Sequence, residues 1–156
     1  MSKRTPKTVP RFQTPIIETH CHLDYLAQDT IADELHAITE AGVERIVTIA
    51  VSADNLKTVL SLCNQHEHIW GTQGIHPHEA SSWTPSVAQA VAQGASHPKV
   101  VAIGEIGLDY YYEHASPQSQ IAAFEAQLSL AAERDLPVVI HTREADADTR
   151  TVLENH

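Results

Sequence analysis

The sequence predicts an α/β fold with a parallel sheet, and three observations carry that prediction. Short β-branched apolar runs alternate with stretches whose apolar residues recur at helical spacing. The runs are apolar almost throughout, as strands are when both faces are covered. The residues able to do chemistry fall directly after the runs, where barrels gather their working side chains. A doubly wound sheet would share that placement, but the first turn lacks a Gly-rich phosphate loop. The prediction is therefore a TIM (β/α)8 barrel.

The elements follow in order. Residues 15–17 read as a first short strand and 30–41 as a helix with Ile31, Leu35 and Ile38 on one face, stopped by Gly42. RIVTIAV, residues 45–51, is a β-branched strand. A helix from about residue 52 carries Leu56, Val59, Leu60 and Cys63 at helical spacing. Residues 68–74 form the third strand, and Thr84-Pro85 reads as an N-cap with proline at the first helical position. PKVVAIG, residues 98–104, is the fourth strand. Ser116-Pro117 opens a long helix with Ile121, Phe124, Leu128 and Ala131 along one stripe. LPVVI, residues 136–140, is the fifth strand, and 144–154 the last helix. A complete barrel takes about 250 residues. The 156 residues here supply five strand–helix units, so the expectation is a barrel truncated to about its first five units.

Composition narrows the function classes. The net charge is −10, yet Lys3, Arg4, Lys7 and Arg11 lie within the first 14 residues, which contain no acid. Residues 1–14 read as a basic, disordered leader, and 15–156 as one partial barrel domain. The strongly acidic body does not draw nucleic acid through its overall field. Bound cations would have to supply positive charge locally. No apolar run reaches the length that spans a membrane, and the N-terminus has no secretory h-region. Cys21 and Cys63 are too few for a disulfide framework. These features point to a cytoplasmic protein with reduced thiols, without a membrane partner.

The sharpest chemical signal is His20-Cys21-His22, directly after the first apolar run. Residues i and i+2 of an extended segment point to one face, so two imidazoles stand together as ligands for a divalent cation. Cys21 faces away and is not read as a ligand. Glu105, between Gly104 and Ile106 at the expected end of the fourth strand, has a carboxylate whose two oxygens suit bridging two ions. His141 follows the apolar PVVI and belongs at the barrel mouth. Arg143 points the same way and suits a phosphate oxygen; pairing with Glu144 or Asp146 is an equal alternative. A second H-x-H, His76-Pro77-His78, is interrupted by proline, which favours a substrate-contacting loop over a metal pair. Asp109 and Tyr110, with Tyr111 and Tyr112, are read as stacking or hydrogen-bonding substrate, against the plainer reading of loop tyrosines as packing residues. Two cations about 3.5–4 Å apart would clamp a phosphodiester and activate a water as hydroxide for in-line attack. A further carboxylate normally takes that water's proton, and none stands out in the sequence.

The residues also carry a family resemblance. Residues 16–24 (IIETHCHLD), 74–78 (GIHPH), 104–110 (GEIGLDY) and 137–145 (PVVIHTREA) resemble, in order, the signatures of the TatD family of metal-dependent deoxyribonucleases, among the amidohydrolase-like barrels. The resemblance runs from residue 15 onward. It implies that His20 and His22 bind one metal, that Glu105 bridges, and that His141 binds the second. The implied cofactors are two divalent ions, Mg, Mn or Zn. The implied substrate is DNA, cleaved at phosphodiester bonds, with 3′→5′ exonuclease action among family members. Glu105 and Arg143 are the catalytic candidates; His76, His78, Asp109 and Tyr110 are the substrate candidates.

Two departures accompany the resemblance. Glu18 stands where the family usually has aspartate, and the family's later histidine and aspartate ligands would lie beyond residue 156. The sequence therefore also admits a metal-binding but inactive portion of such an enzyme, associating with itself or with a missing C-terminal half through open strand edges. A barrel that cleaves an amide or lactone is the third reading.

Overall fold

The computed structural model describes residues 12–26, 30–112 and 114–156. Five parallel strands lie in the order β1 (Ile16–Cys21), β2 (Val43–Thr48), β3 (Ile69–Gln73), β4 (Val100–Asp109) and β5 (Val138–Arg143). Between and after them run α1 (Ile31–Glu40), α2 (Leu56–Gln65), α3 (Pro85–Gly94), α4 (Pro117–Arg134) and α5 (Asp146–Glu154). Every neighbouring pair is parallel and consecutive in sequence, which is how a (β/α)8 barrel winds its first strands. Two short 3-10 turns, Leu23–Tyr25 and Pro77–Ser82, follow β1 and β3.

Local sequence sets the boundaries. Thr84 caps α3 by accepting the Val87 amide, and Ser116 caps α4 by accepting that of Ser119, each followed by proline. Gly42, at φ +100°, ends α1 in the conformation that suits glycine. The buried side of α2 uses Leu62 beside Leu56, Val59 and Cys63, where the sequence pattern had suggested Leu60. Ile46, Ile69, Ile103, Phe124 and Leu128 belong to one apolar cluster between sheet and helices. Lys99 closes the end of α2 by donating to the carbonyls of Cys63, His66 and Glu67 at 2.7–3.0 Å.

Three strands continue past their expected ends. β1 runs on to Cys21, β5 to Arg143, and β4 as far as Asp109. Glu105 therefore lies inside β4, where the sequence had placed it at a strand end. The register of β4 against β5 shifts between Ile103 and Ile106, and pairing resumes from Ile106 onward. Glycine permits this. Gly107 has φ +135°, and a Cβ there would run into the His141 carbonyl.

The first 11 residues of the expected leader lie outside the described residues. Of the rest, Phe12 donates its amide to the Ala41 carbonyl at 3.2 Å. Among the described residues, no helix is long and apolar enough to cross a membrane.

Candidate metal and phosphate site

The C-terminal ends of the strands surround a cavity of about 420 Å³. Its walls include His22, His76, His78, Glu105, His141 and Arg143. Backbone bonds tie those walls together. The Glu105 amide donates to the Ala50 carbonyl and the His76 amide to that of Val51, both at 2.8 Å. Below them, the Thr72 hydroxyl accepts the Ala50 amide and donates to the Gly104 carbonyl. The peptide groups at these strand ends thereby find partners where strand pairing alone does not supply them.

Glu105 is the centre of the site. One carboxylate oxygen lies 3.3 Å from His20 Nε2 and the other 3.2 Å from His141 Nδ1. Among the described residues, two groups of side chains bring ligand atoms within 4.8 Å of one another: His20, His22 and Glu105, and His76, Glu105 and His141. Nδ1 of His22 is 3.3 Å from the Ile49 carbonyl. A carbonyl only accepts, so Nδ1 is the donor in this contact and Nε2 is the nitrogen left to face a ligand. Glu18 accepts the His20 amide at 2.9 Å.

Asp109 lies beneath this layer and is fully buried. Its Oδ2 meets His78 Nε2 and His141 Nε2, each at 2.9 Å, and Arg143 Nη1 at 3.9 Å. Its Oδ1 accepts the amides of Tyr111 and Tyr112. Burial opposes its charge, but the Tyr112 amide and the two imidazoles outweigh burial and hold the carboxyl well below the usual carboxylate range. The sequence reading set Asp109 against substrate; in the structure its two oxygens are engaged by His78, His141 and the Tyr111 and Tyr112 amides. Tyr110 is also displaced from its expected place. Its hydroxyl donates to Asp148 at 2.7 Å, outside the cavity; burial and that bond raise its pKa to about 12.

His76 is held by the His78 amide, which donates to its Nδ1 at 3.2 Å. Burial, then the neighbouring His141 and His78, push its pKa down to about 3, so the ring is neutral. Arg143 reaches the cavity with its guanidinium carbon 5.2 Å from the Tyr112 ring centre. Burial first, then Glu18 and Asp24, lift the Cys21 thiol to about 11, an inert group beside two histidines.

Two glutamines on α4 were missing from the sequence reading. Gln127 accepts the Ile75 amide and donates to the Ile75 carbonyl. Gln120 does the same for Asp109, at 2.7 and 2.9 Å. Each side-chain amide thus pairs with both backbone groups of one residue, as a neighbouring strand would. The signal existed: Gln120, Phe124, Gln127 and Ala131 form one helical stripe, placing two polar residues on the apolar face.

Comparison with known proteins agrees with the resemblance. A family profile described as TatD related DNase matches residues 17–156. A protein of Erwinia amylovora named 3′-5′ ssDNA/RNA exonuclease TatD is 43% identical over 116 residues, 74% of this chain and 45% of that protein. Its namesake in Escherichia coli K12 is 36% identical over 115 residues, 74% of this chain and 44% of that one. The chain thus spans less than half the length of these curated relatives. The crystal structure of YJJV, a TatD homologue from Escherichia coli, superposes with a TM-score of 0.80 at 31% identity, covering 90% of this chain and 55% of that one. A TatD family hydrolase of Entamoeba histolytica, at 20% identity and a TM-score of 0.83, shares the fold over 91% of this chain and 54% of its own. The chain belongs to the TatD-related DNase family.

Proposed function

We propose that this cavity is part of a nuclease site that hydrolyses phosphodiester bonds in single-stranded nucleic acid with the help of divalent cations. The observation that carries the reading is the Glu105 carboxylate, set between His20 on one side and His141 on the other at 3.3 and 3.2 Å. Mixed imidazole and carboxylate donors suit Zn or Mn better than Mg, which prefers oxygen alone. His20 and His22 would hold one cation, Glu105 would bridge, and His141 would hold a second. Cations held there supply Lewis acidity to a phosphoryl oxygen and lower the pKa of water toward neutrality.

The other residues position and bind. Asp109 fixes the ring orientation of His141 and of His78, as carboxylates behind ligating histidines do. With Nδ1 accepting the His78 amide, neutral His76 carries its proton on Nε2. That makes it a donor to a substrate oxygen more readily than a ligand. Arg143, braced on Tyr112, would take a phosphate oxygen in its guanidinium fork. The relatives named 3′-5′ ssDNA/RNA exonucleases support attack from a 3′ end.

The test is release of nucleotides from a single-stranded oligonucleotide by the purified chain with Mn2+, Zn2+ or Mg2+. Activity should depend on added metal and fall at least about 100-fold in His20→Ala and Glu105→Gln, the scale expected when a charge-stabilising group is removed. Cleavage of a lactone or amide with no phosphodiester hydrolysis would remove the nuclease reading. Metal binding with no hydrolysis of any substrate would leave the chain a metal-binding portion only.

A further inference from the structure

Tyr25 is a large aromatic side chain in an unusual setting. It is 72% exposed, yet it lines the cavity that holds Glu105 and His141. Its ring lies nearly parallel to that of His22, with 5.2 Å between centres and 20° between planes. One face is therefore backed by a side chain of the site, while most of the ring stands in solvent.

The turn that carries Tyr25 is tied down on several sides. The Tyr25 amide donates to the His22 carbonyl at 3.2 Å and the Leu26 amide to that of Leu23 at 3.1 Å. The Leu23 amide donates to the Thr48 hydroxyl, and Asn55 donates to the Asp24 carboxylate at 3.0 Å. Asn55 in turn accepts the amides of Val51 and Ser52. A tyrosine on so fixed a turn loses little conformational freedom when a flat ligand settles on it. Among the described residues, Tyr25 is not part of the apolar core.

We propose that Tyr25 is a stacking platform for a nucleobase, receiving a base of the strand whose phosphate lies in the cavity. This rests on the nuclease reading and adds to it a contact with the base. Arg143, on the wall of the same cavity, supplies the cationic partner for a phosphate. Every base has a flat face, so stacking tolerates any sequence. In a duplex both faces of an internal base are already covered, so the platform selects unpaired or terminal bases. It also answers a difficulty set by the charge of −10: the protein gains affinity for an anionic polymer through a contact that carries no charge.

The test is an equilibrium titration by fluorescence anisotropy, with Mn2+ present and a labelled phosphorothioate thymidine octamer as probe. A second probe has the same backbone without bases. The native chain should bind the base-bearing strand roughly 5- to 150-fold more tightly, the span for one stacked base. Tyr25→Leu should bind both probes alike, and Tyr25→Trp should restore the preference. A Tyr25→Leu variant that keeps the native preference, or a native chain that binds both probes equally, overturns the platform. Hydrolysis of unmodified DNA by a chain that binds the base-bearing and base-free probes equally would overturn the platform alone. A base preference lost in Tyr25→Leu, with no hydrolysis of any oligonucleotide, would support the platform and remove the nuclease reading.

Discussion

At the scale of single residues, the candidate site rests on Asp109 more than its burial suggests. His20, His22, Glu105 and His141 were legible in the sequence because each is a polar side chain beside an apolar run, and such residues need a reason. Asp109 and Tyr110 were legible as unusual, but not the contacts they make. Whether a side chain four or five residues beyond Glu105 faces a cavity or the core depends on whether the strand has ended, and spacing alone does not decide that. Here β4 continues, and the Asp109 carboxylate holds two imidazoles at 2.9 Å each. Asp109→Asn should therefore weaken binding at the cation position proposed for Glu105 and His141 by roughly 10- to 100-fold, the usual effect of losing the group behind a ligand. Calorimetric titration with Zn2+ of both proteins checks this; equal affinities would show that His141 needs no carboxylate behind it.

At the scale of elements, helix starts were easier to read than strand ends. Thr84-Pro85 and Ser116-Pro117 begin helices because a hydroxyl acceptor followed by proline meets the needs of a helix N-terminus by itself. The strand ends depend on partners distant in sequence. The fourth strand was expected to end at Gly104, yet Gly104 and Gly107 let β4 approach and pair with β5. The inner face of α4 was half legible: Phe124 and Leu128 follow from periodicity, but Gln120 and Gln127 resemble surface residues until their peptide partners are known. Gln127→Leu would leave the Ile75 amide and carbonyl buried without their partner. It should lower stability by about 2–4 kcal/mol, read as a reduced midpoint in urea unfolding with an unchanged slope. A shift typical of a surface substitution, within about 0.5 kcal/mol, would place the clamp outside the folding energetics.

For the whole molecule, alternation of strands and helices was enough to predict a parallel sheet, and the missing Gly-rich phosphate loop after the first strand turned that prediction toward a barrel rather than a doubly wound sheet. The described sheet is open, with β1 at one edge and β5 at the other. Ile17 on β1 is 55% exposed. Unpaired parallel edges with apolar side chains are templates for association. The 156-residue chain on its own should therefore run larger than 17.1 kDa in light-scattering chromatography. Ile17→Lys should shift it toward the monomer, and a native chain already monomeric at high concentration would show that both edges are protected. The charge of −10 opposes such association through mutual repulsion, so added salt should strengthen it.

The glutamine clamps also give the molecule two built-in reporters. The amide hydrogens of Ile75 and Asp109 each end on a side-chain oxygen of α4 rather than on a strand carbonyl. Their exchange with deuterated solvent is thus gated by undocking of α4, while the amides of Glu105 and His76, bonded to Ala50 and Val51, are gated by parting of the strand ends. Comparing these two pairs of protons separates helix detachment from opening of the strand ends.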